Sequence, residues 1–168
     1  TGMSAREFAN QYLFGPIGMK TLPDYKITAA NPMGFFQGRY VKGWVSDPAG
    51  NSAGGWGLTL TPRDMARFGY LYLNHGLWGQ ARIVPETWVG ESAAVTPNNY
   101  GYLWWLFGGG YAAMGDGGNI IFCPPEKDVV IAATASLSPD SSRLTALIME
   151  EIIPMALASQ PRTDDRDT

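Results

Sequence analysis

The chain is poor in cysteine and histidine: its 168 residues include one of each, Cys123 and His75. A single thiol excludes an internal disulfide, and one thiol with one imidazole cannot form a multi-thiolate or histidine-rich zinc site. The sequence therefore predicts no bound metal and no cofactor, and it leaves the redox compartment open.

Charge is also scarce, since charged residues make up 16% of the chain and the formal net charge is −3. Lys and Arg never occur next to one another, so no basic stripe is present to bind nucleic acid or an anionic membrane. No apolar run approaches the roughly 20 residues of a membrane-spanning helix. The first residues, TGMSAREF, lack the basic and apolar regions of a signal peptide. We therefore expect no nucleic-acid partner and no membrane span.

Apolar and turn-forming residues are abundant instead. Hydrophobic residues make up 45% of the chain, which includes six Trp, eight Tyr, seven Phe and 21 Gly. This composition favours strands and shaped loops, and the length fits one hydrophobic core. We expect a single domain over residues 1–159 and a polar, disordered tail over residues 160–168.

Two helices have clear start and stop signals. Ser4 and Glu7 form a capping box for a first helix, which Gly15-Pro16 ends. Thr61-Pro62 begins a second helix that runs to Asn74-His75-Gly76. The apolar face of this second helix consists of Met65, Phe68, Gly69, Tyr72 and Leu73.

Two further helices are predicted, one from Pro85 to about Ala94 and one opened by Ser138-Pro139. The inward face of this last helix consists of Leu144, Leu147, Ile148, Ile152 and Met155. Between the first two helices, residues 22–60 have frequent turn residues and no sustained period. We expect a long loop with short strands there, lining a site.

Three extended runs, 100–107, 119–123 and 129–135, predict strands. The connection Pro124-Pro125-Glu126-Lys127-Asp128 is short enough for antiparallel pairing of the last two. The expected fold class is therefore α+β, with a small antiparallel sheet covered by helices.

Three features look catalytic but favour structural roles. Residues 50–54 match the GxSxG nucleophile elbow by their letters, yet no buried strand precedes Ser52 and no helix follows it, so a loop is favoured. His75 lies at the predicted C-terminal end of a helix, where an imidazole complements the helix dipole. Cys123 lies inside an apolar strand with no basic neighbour to lower its pKa, which indicates a buried structural thiol.

Two other features each allow a structural and a functional interpretation. Tyr102, Trp104 and Trp105 could stack on sugars or aromatic ligands, as in a carbohydrate-binding module, but alternating aromatics in a strand usually fill a core. The Gly-rich segment Met114-Gly115-Asp116-Gly117-Gly118-Asn119 precedes an apolar strand. Glycine there indicates close approach of a ligand such as a substrate carbonyl, and a tight turn explains the same residues equally well.

Four segments together resemble the C-terminal part of the serine β-lactamase-like and penicillin-binding family. The resemblance is to the class C-like branch, which also holds esterases and 6-aminohexanoate-dimer hydrolases. In the family's order the segments are TGMSAREFANQYLFGPIGM, AGGWGLTLTPRDMARFGYLYLNHGLWGQARIVPETW, YGYLWW and MGDGGNIIFCPPEKDVVIAATAS, over about residues 1–137. The implied fold is the C-terminal portion of the β-lactamase/transpeptidase-like fold.

Family members use a Ser and a Lys in an S-x-x-K motif, a Tyr in a Y-x-N motif, and a K-T-G or H-x-G-like triplet on a strand. No serine of this chain has a lysine three residues later. The one Y-x-N, Tyr72-Leu73-Asn74, falls on a helix that is an ordinary buried helix in the family. The resemblance therefore implies a C-terminal segment of a serine hydrolase that lacks its nucleophile and is inactive alone.

The resemblance also implies a substrate-binding side of the site. Asp116-Gly117-Gly118 occupies the position of the triplet, and the backbone N–H of Asn119, within one residue, is the strand's share of the oxyanion hole. An anion at Asp116 departs from the family's cation and favours neutral or cationic substrates over carboxylates. The implied substrates are small esters, amides or lactams, once an N-terminal half completes the site.

A second function stays open, namely a stand-alone binding or assembly module that retains half of this fold. In both cases strands that would cover the sheet are expected to be missing, and uncovered apolar edges pair with other chains. We therefore expect a homo-oligomer. The compartment is unknown, since similar proteins occur in the periplasm and in the cytoplasm.

Overall fold

The computed structural model describes residues 1–37, 41–136 and 142–158. The predicted tail at 160–168 and the predicted helix start at Ser138-Pro139 lie outside the described residues. Within them, helices surround a small antiparallel sheet, so the α+β fold class is confirmed.

The first helix, α1 (Ala5–Ala9), has the predicted capping box. Ser4 Oγ accepts the N–H of Glu7 at 3.2 Å, and the Glu7 carboxylate accepts the N–H of Ser4 at 2.9 Å. The helix widens into a π-helical turn, Asn10–Phe14, and ends at Gly15 as predicted. Its apolar side packs in an N-terminal cluster with Phe14, Ile17, Met19, Leu22 and Leu71.

The long segment that follows has short elements, as predicted for residues 22–60. They are β1 (Asp24–Lys26), α2 (Gly34–Gln37) and β2 (Trp44–Ser46), and the two strands pair in parallel. The remainder forms turns and isolated bridges.

Helix α3 (Pro62–Leu73) covers one face of the central sheet. Thr61 caps it, because its Oγ1 accepts the N–H of Asp64 at 3.2 Å. Gly69 allows a close approach to the sheet: a Cβ there would lie 2.6 Å from Val130 Cγ1 and 2.8 Å from Ile121 Cγ2. The predicted apolar face is confirmed, with Met65, Gly69 and Tyr72 buried and Phe68 and Leu73 half-buried.

A small hairpin and a short helix follow α3. The hairpin pairs β3 (Leu77–Trp78) with β4 (Ala81–Arg82), and the helix α4 is Glu86–Ser92. The sequence predicted this helix within two residues at its C-terminal end.

The central sheet has four antiparallel strands in chain order. They are β5 (Trp105–Phe107), β6 (Gly110–Gly115), β7 (Asn119–Cys123) and β8 (Ile131–Ala133). Its side chains alternate between two apolar clusters, as expected for a sheet covered on both faces. Tyr111, Ile121 and Cys123 face α3, and Ala112, Ile120 and Phe122 face the C-terminal helix.

The three predicted strands fared differently. The run 119–123 has its predicted bounds, and it pairs with β8 in the predicted antiparallel sense. The other two predicted runs contain shorter strands than expected. The run 129–135 contains β8, and the run 100–107 contains β5. The first of these ends at Ala133, and the second begins only after Leu103, whose φ of 65° turns the chain away from an extended path.

The C-terminal helix consists of α5 (Ser142–Leu147), a π-helical turn (Ile148–Ile152) and α6 (Ile153–Ala158). Ile148 is buried and Leu144 half-buried, as predicted. The inward orientation predicted for Leu147, Ile152 and Met155 is wrong, since all three are exposed. The π turn shifts the later residues away from the positions that a 3.6-residue period assigns, so Ile153 and not Ile152 packs against the sheet.

Within the part of the chain that the structure describes, no helix is long and apolar enough to cross a membrane.

Candidate functional site

The Gly-rich segment Met114–Asn119 forms the hairpin between β6 and β7. Gly115 lies opposite Asn119, and Asp116-Gly117-Gly118 makes the turn. Gly117 and Gly118 have φ of 77° and 93°, and glycine adopts such angles without a steric penalty. The tight turn is thus present, and a functional interpretation depends on what this hairpin exposes.

The hairpin is closed by its own side chains. Asp116 Oδ1 accepts the N–H of Gly117 at 2.8 Å, and Asn119 Nδ2 donates to the Asp116 carbonyl oxygen at 2.7 Å. The N–H of Gly117 is therefore engaged. The Asp116 side chain is exposed, so its carboxylate faces solvent at the tip of the hairpin.

One edge of β6 is open beside this hairpin. Trp105, Leu106 and Phe107 of β5 lie opposite Ala112, Tyr111 and Gly110. Beyond Ala112, β6 pairs with β7 alone among the described residues, so residues 113–115 present a strand edge without a partner. Backbone N–H and C=O groups on such an edge can bind an extended ligand.

Asn119 lies at the first position of β7, one residue before β7 begins to pair with β8. Its backbone is adjacent to the hairpin turn, whereas the open edge belongs to β6. The role of Asn119 as an oxyanion donor stays a prediction, as do the substrate contacts of Asp116, Gly117 and Gly118.

Helix α5 braces the hairpin from behind. A Cβ on Gly118 would lie 3.0 Å from Leu144 Cδ2 and 3.4 Å from Ala135 Cβ. A cavity of about 20 Å³ remains between the hairpin and the helix, bounded by Met114 and Thr145 among others. This volume holds about one water molecule and is too small for a substrate.

The other candidate nucleophiles are not activated. Ser52 lies among turns and isolated bridges, and its Oγ accepts the N–H of Arg6 at 3.2 Å, so the elbow geometry does not form. Cys123 is fully buried with Sγ 3.7 Å from the carbonyl oxygen of Gly69. Burial raises the pKa of the Cys123 thiol to about 12, and a thiol that stays protonated is a poor nucleophile.

His75 and Tyr72 occupy structural positions at the end of α3. His75 follows the C-cap residue Asn74, as predicted, and its carbonyl oxygen accepts a hydrogen bond from Arg82 Nη1 at 2.6 Å. Tyr72 is buried, and Ser92 Oγ donates to its hydroxyl at 3.4 Å. Neither residue has a partner arranged for proton transfer among the described residues.

The aromatic residues of the run 100–107 divide between core and surface. Trp104 is buried and stacks on Phe68 with ring centroids 6.1 Å apart, so the core prediction is confirmed there. Tyr102 and Trp105 are 59% and 47% exposed, and for these two it is wrong. Trp104 and Trp105 are consecutive, so an extended chain points them to opposite faces and only one of them can enter this core.

Sequence reasoning missed β6, the strand that carries the open edge. Its sequence, GYAAMG, has few residues of high strand propensity. The signal that could have found it is its position, since an apolar strand after a Gly-rich turn needs a partner before that turn.

The sequence also did not reveal an aromatic group within residues 22–60. Phe36 stacks on Trp56 with ring centroids 5.4 Å apart, and Phe35 joins this pair to Tyr25. No local periodicity links residues so far apart in the chain.

Comparison with known proteins gives one informative result. No family model and no curated protein matches the chain. Solved structures that match include a Bacillus anthracis protein provisionally named a 6-aminohexanoate-dimer hydrolase. Its sequence is 25% identical, the TM-score is 0.59, and the match covers 67% of this chain and 32% of that protein. The chain thus spans about one third of the length of that protein.

The likeness agrees with the architecture described above. The chain has an α+β fold like that of the β-lactamase-like proteins, and the match supports a relationship to hydrolases of that superfamily.

Proposed function

We propose that this chain forms the substrate-facing sheet edge of a β-lactamase-like serine hydrolase of the class C-like branch. Its nucleophilic Ser, its Lys and its Tyr would lie outside these 168 residues. The open edge of β6 at residues 113–115 carries the proposal, because it ends in the hairpin that resembles the family's K-T-G strand.

In such an enzyme the serine attacks a carbonyl carbon and forms an acyl-enzyme, which water then hydrolyses. The strand beside the serine aligns the substrate and supplies a backbone N–H to the oxyanion. We assign this N–H to Asn119, at the end of β7 that is not paired with β8, and the alignment to Asp116-Gly117-Gly118 in the turn that precedes it. Without a nucleophile these groups cannot form an acyl-enzyme, so the chain alone would be inactive.

Asp116 would restrict the substrate. Its carboxylate is exposed at the end of the open edge, where a family cation would attract a substrate carboxylate. A negative charge there repels carboxylates and tolerates neutral or cationic groups. Neutral esters, amides or lactams are the substrate class that this arrangement fits.

The coding sequence ahead of Thr1 and a hydrolysis assay test this function together. We expect that sequence to encode S-x-x-K and Y-x-N in frame, and the longer chain to hydrolyse p-nitrophenyl butyrate while these 168 residues do not. Absence of both motifs, or a longer folded chain without hydrolytic activity, would contradict the proposal.

A second candidate is a non-catalytic assembly module that forms a homo-oligomer. It is favoured by the outer edge of β8, which has no strand partner in residues 1–37, 41–136 and 142–158, and by exposed apolar residues on the C-terminal helix. Light scattering over a wide concentration range tests it. A dimer or larger species supports the module, whereas a monomer of 18.2 kDa throughout would argue against it.

A further inference from the structure

A second concave site lies at the other end of β6. It is an open cleft of about 610 Å³ between the start of β6, helix α4 and the loop before β5. Gly110, which bounds the cleft, and Gly115, at the hairpin, are roughly 17 Å apart along an antiparallel strand. The cleft is therefore separate from the candidate hydrolase site, and its volume lies within the range of small-molecule sites.

The walls of the cleft are mainly apolar. They include Val89, Ala93, Val95 and Leu106. Val95 is 86% exposed, a large value for a β-branched apolar residue beside a concavity. An apolar ligand would remove this surface from water, which is favourable in proportion to the area covered.

Two buried tyrosines, Tyr72 and Tyr111, line the cleft. The hydroxyl of Tyr72 accepts a hydrogen bond from Ser92 Oγ. The hydroxyl of Tyr111 has no hydrogen-bond partner among the residues whose placement is described. Burial raises the pKa of Tyr111 above its ordinary value, so this group stays protonated and can donate.

The charged side chains near the cleft neutralise one another. Glu86, which lines it, lies 3.7 Å from Arg82 as measured between Oε2 and Nη2, and Arg82 also donates to the carbonyl of His75. The rim therefore combines one carboxylate with one guanidinium. Among the described residues that line the cleft, Glu86 is the one Asp, Glu, Lys or Arg, so the lining itself favours a neutral ligand.

We propose that this cleft binds a neutral small molecule with an apolar body and one hydrogen-bond acceptor, which the Tyr111 hydroxyl recognises. An aromatic or aliphatic amide, ketone or ester has this chemistry. The interaction needs no nucleophile and does not depend on the proposed hydrolase function.

Glycines lie both at the cleft and at the hairpin, so NMR signals of glycine amides can tell the two sites apart. Gly90, Gly109 and Gly110 line the cleft, while Gly115, Gly117 and Gly118 belong to the hairpin. The chain labelled with 15N-glycine is titrated with acetanilide, acetophenone and ethyl benzoate while its backbone amide signals are recorded. We expect saturable shifts at the three cleft glycines and none at the hairpin glycines, and smaller shifts with benzoate and benzylammonium.

Three variants assign the binding to the cleft. A Cβ on Gly90 would meet no atom within 4 Å, so Gly90→Leu fills the cleft without disturbing the helix and should abolish the shifts. Thr87→Leu, on the same helix but outside the cleft, should bind as the parent does. Tyr111→Phe should weaken binding about three- to tenfold through loss of one hydrogen bond.

Three results would overturn the proposal. The first is the absence of shifts with all three neutral probes, and the second is shifts confined to Gly115, Gly117 and Gly118. The third is shifts at the cleft glycines that follow protein concentration without a probe, which would identify the cleft as an interface between copies. None of them bears on the presence of S-x-x-K in a longer chain, so the two proposals fail separately.

Discussion

The side-chain amide of Asn119 donates a hydrogen bond to the backbone carbonyl of Asp116 across the turn between β6 and β7, with a length of 2.7 Å. Together with the contact from the Gly117 N–H to the Asp116 carboxylate, it holds the hairpin through residues of the hairpin itself. The turn beside the candidate substrate edge is thereby closed by its own residues.

Asn119→Ala tests this closure. The change removes one partly exposed hydrogen bond, so the free energy of unfolding should fall by about 0.5–1.5 kcal/mol. Gln80→Ala, at the exposed β3–β4 turn, is the control and should leave it unchanged. Urea denaturation of both variants measures the difference, and equal stability would show that the bond does not hold the hairpin.

Two glycine-to-alanine changes in helices should have opposite signs. At Gly69 the new Cβ would clash with Val130 and Ile121, and overpacking of this kind costs about 1–3 kcal/mol. At Gly90 it meets nothing within 4 Å, so the better helix propensity of alanine should add about 0.5–1 kcal/mol. Thermal and urea unfolding check both, and a neutral Gly69→Ala would contradict the close helix–sheet contact.

The thiol of Cys123 should be unreactive in the folded protein. Burial raises its pKa to about 12, and the side chain has no exposed surface. Ellman's reagent at about pH 8 should therefore label it only after unfolding. A Thr87→Cys variant, with an added exposed thiol, should label at once with one equivalent. Rapid labelling of the parent chain would show that the core opens readily.

The same thiol gives a pH dependence of stability. Because its folded pKa lies above its ordinary value of 9.0, the folded state retains a proton that the unfolded state releases at high pH. Its contribution is complete below pH 9 and is lost as the pH rises toward 12. Between about pH 8 and 10, the free energy of unfolding should fall by about 1 kcal/mol more in the parent than in Cys123→Ala. Urea midpoints at the two pH values measure it, and parallel curves would contradict burial of the thiol.

Thr61→Ala should weaken the start of α3. Thr61 Oγ1 accepts the N–H of Asp64 and donates to its carboxylate at 2.8 Å, so the change also removes a partner from a buried acid. Loss of such a cap costs about 0.5–2 kcal/mol. Thr21→Ala at an exposed position is the control, and urea unfolding that does not separate the two variants would argue against the cap.

Local signals predicted the parts of the fold that depend on local chemistry. The capping box of Ser4 and Glu7 and the Thr61 cap are contacts within one helical turn, so the sequence shows both partners together. The strand 119–123 was equally clear, because apolar residues between a Gly-rich turn and a Pro-rich connection allow few other conformations.

The failures come from features that a local period does not contain. The π turn at Ile148–Ile152 moved Ile152 and Met155 out of the predicted face. Trp105 follows the buried Trp104 directly, so in an extended chain it points away from the core that Trp104 enters. The open edge of β6 is a property of strand pairing, and pairing with β5 stops at Ala112 for reasons of tertiary geometry.

For the candidate site, the sequence located the hairpin but not its edge. Met114–Asn119 was identified from its glycines, whereas the exposed backbone of residues 113–115 became visible only once β5 and β6 had been paired. The negative charge of Asp116 follows from its residue type alone. The structure agrees with a role for this charge, because the Asp116 side chain is exposed.

We propose that this chain supplies a hydrolase sheet edge without a nucleophile of its own. Intact mass spectrometry after incubation with a fluorophosphonate, which is selective for activated serines, and with penicillin G tests it most directly. We expect an unchanged mass with both reagents, including at Ser52 after peptide mapping. A stable, stoichiometric adduct on any serine of these 168 residues would contradict it.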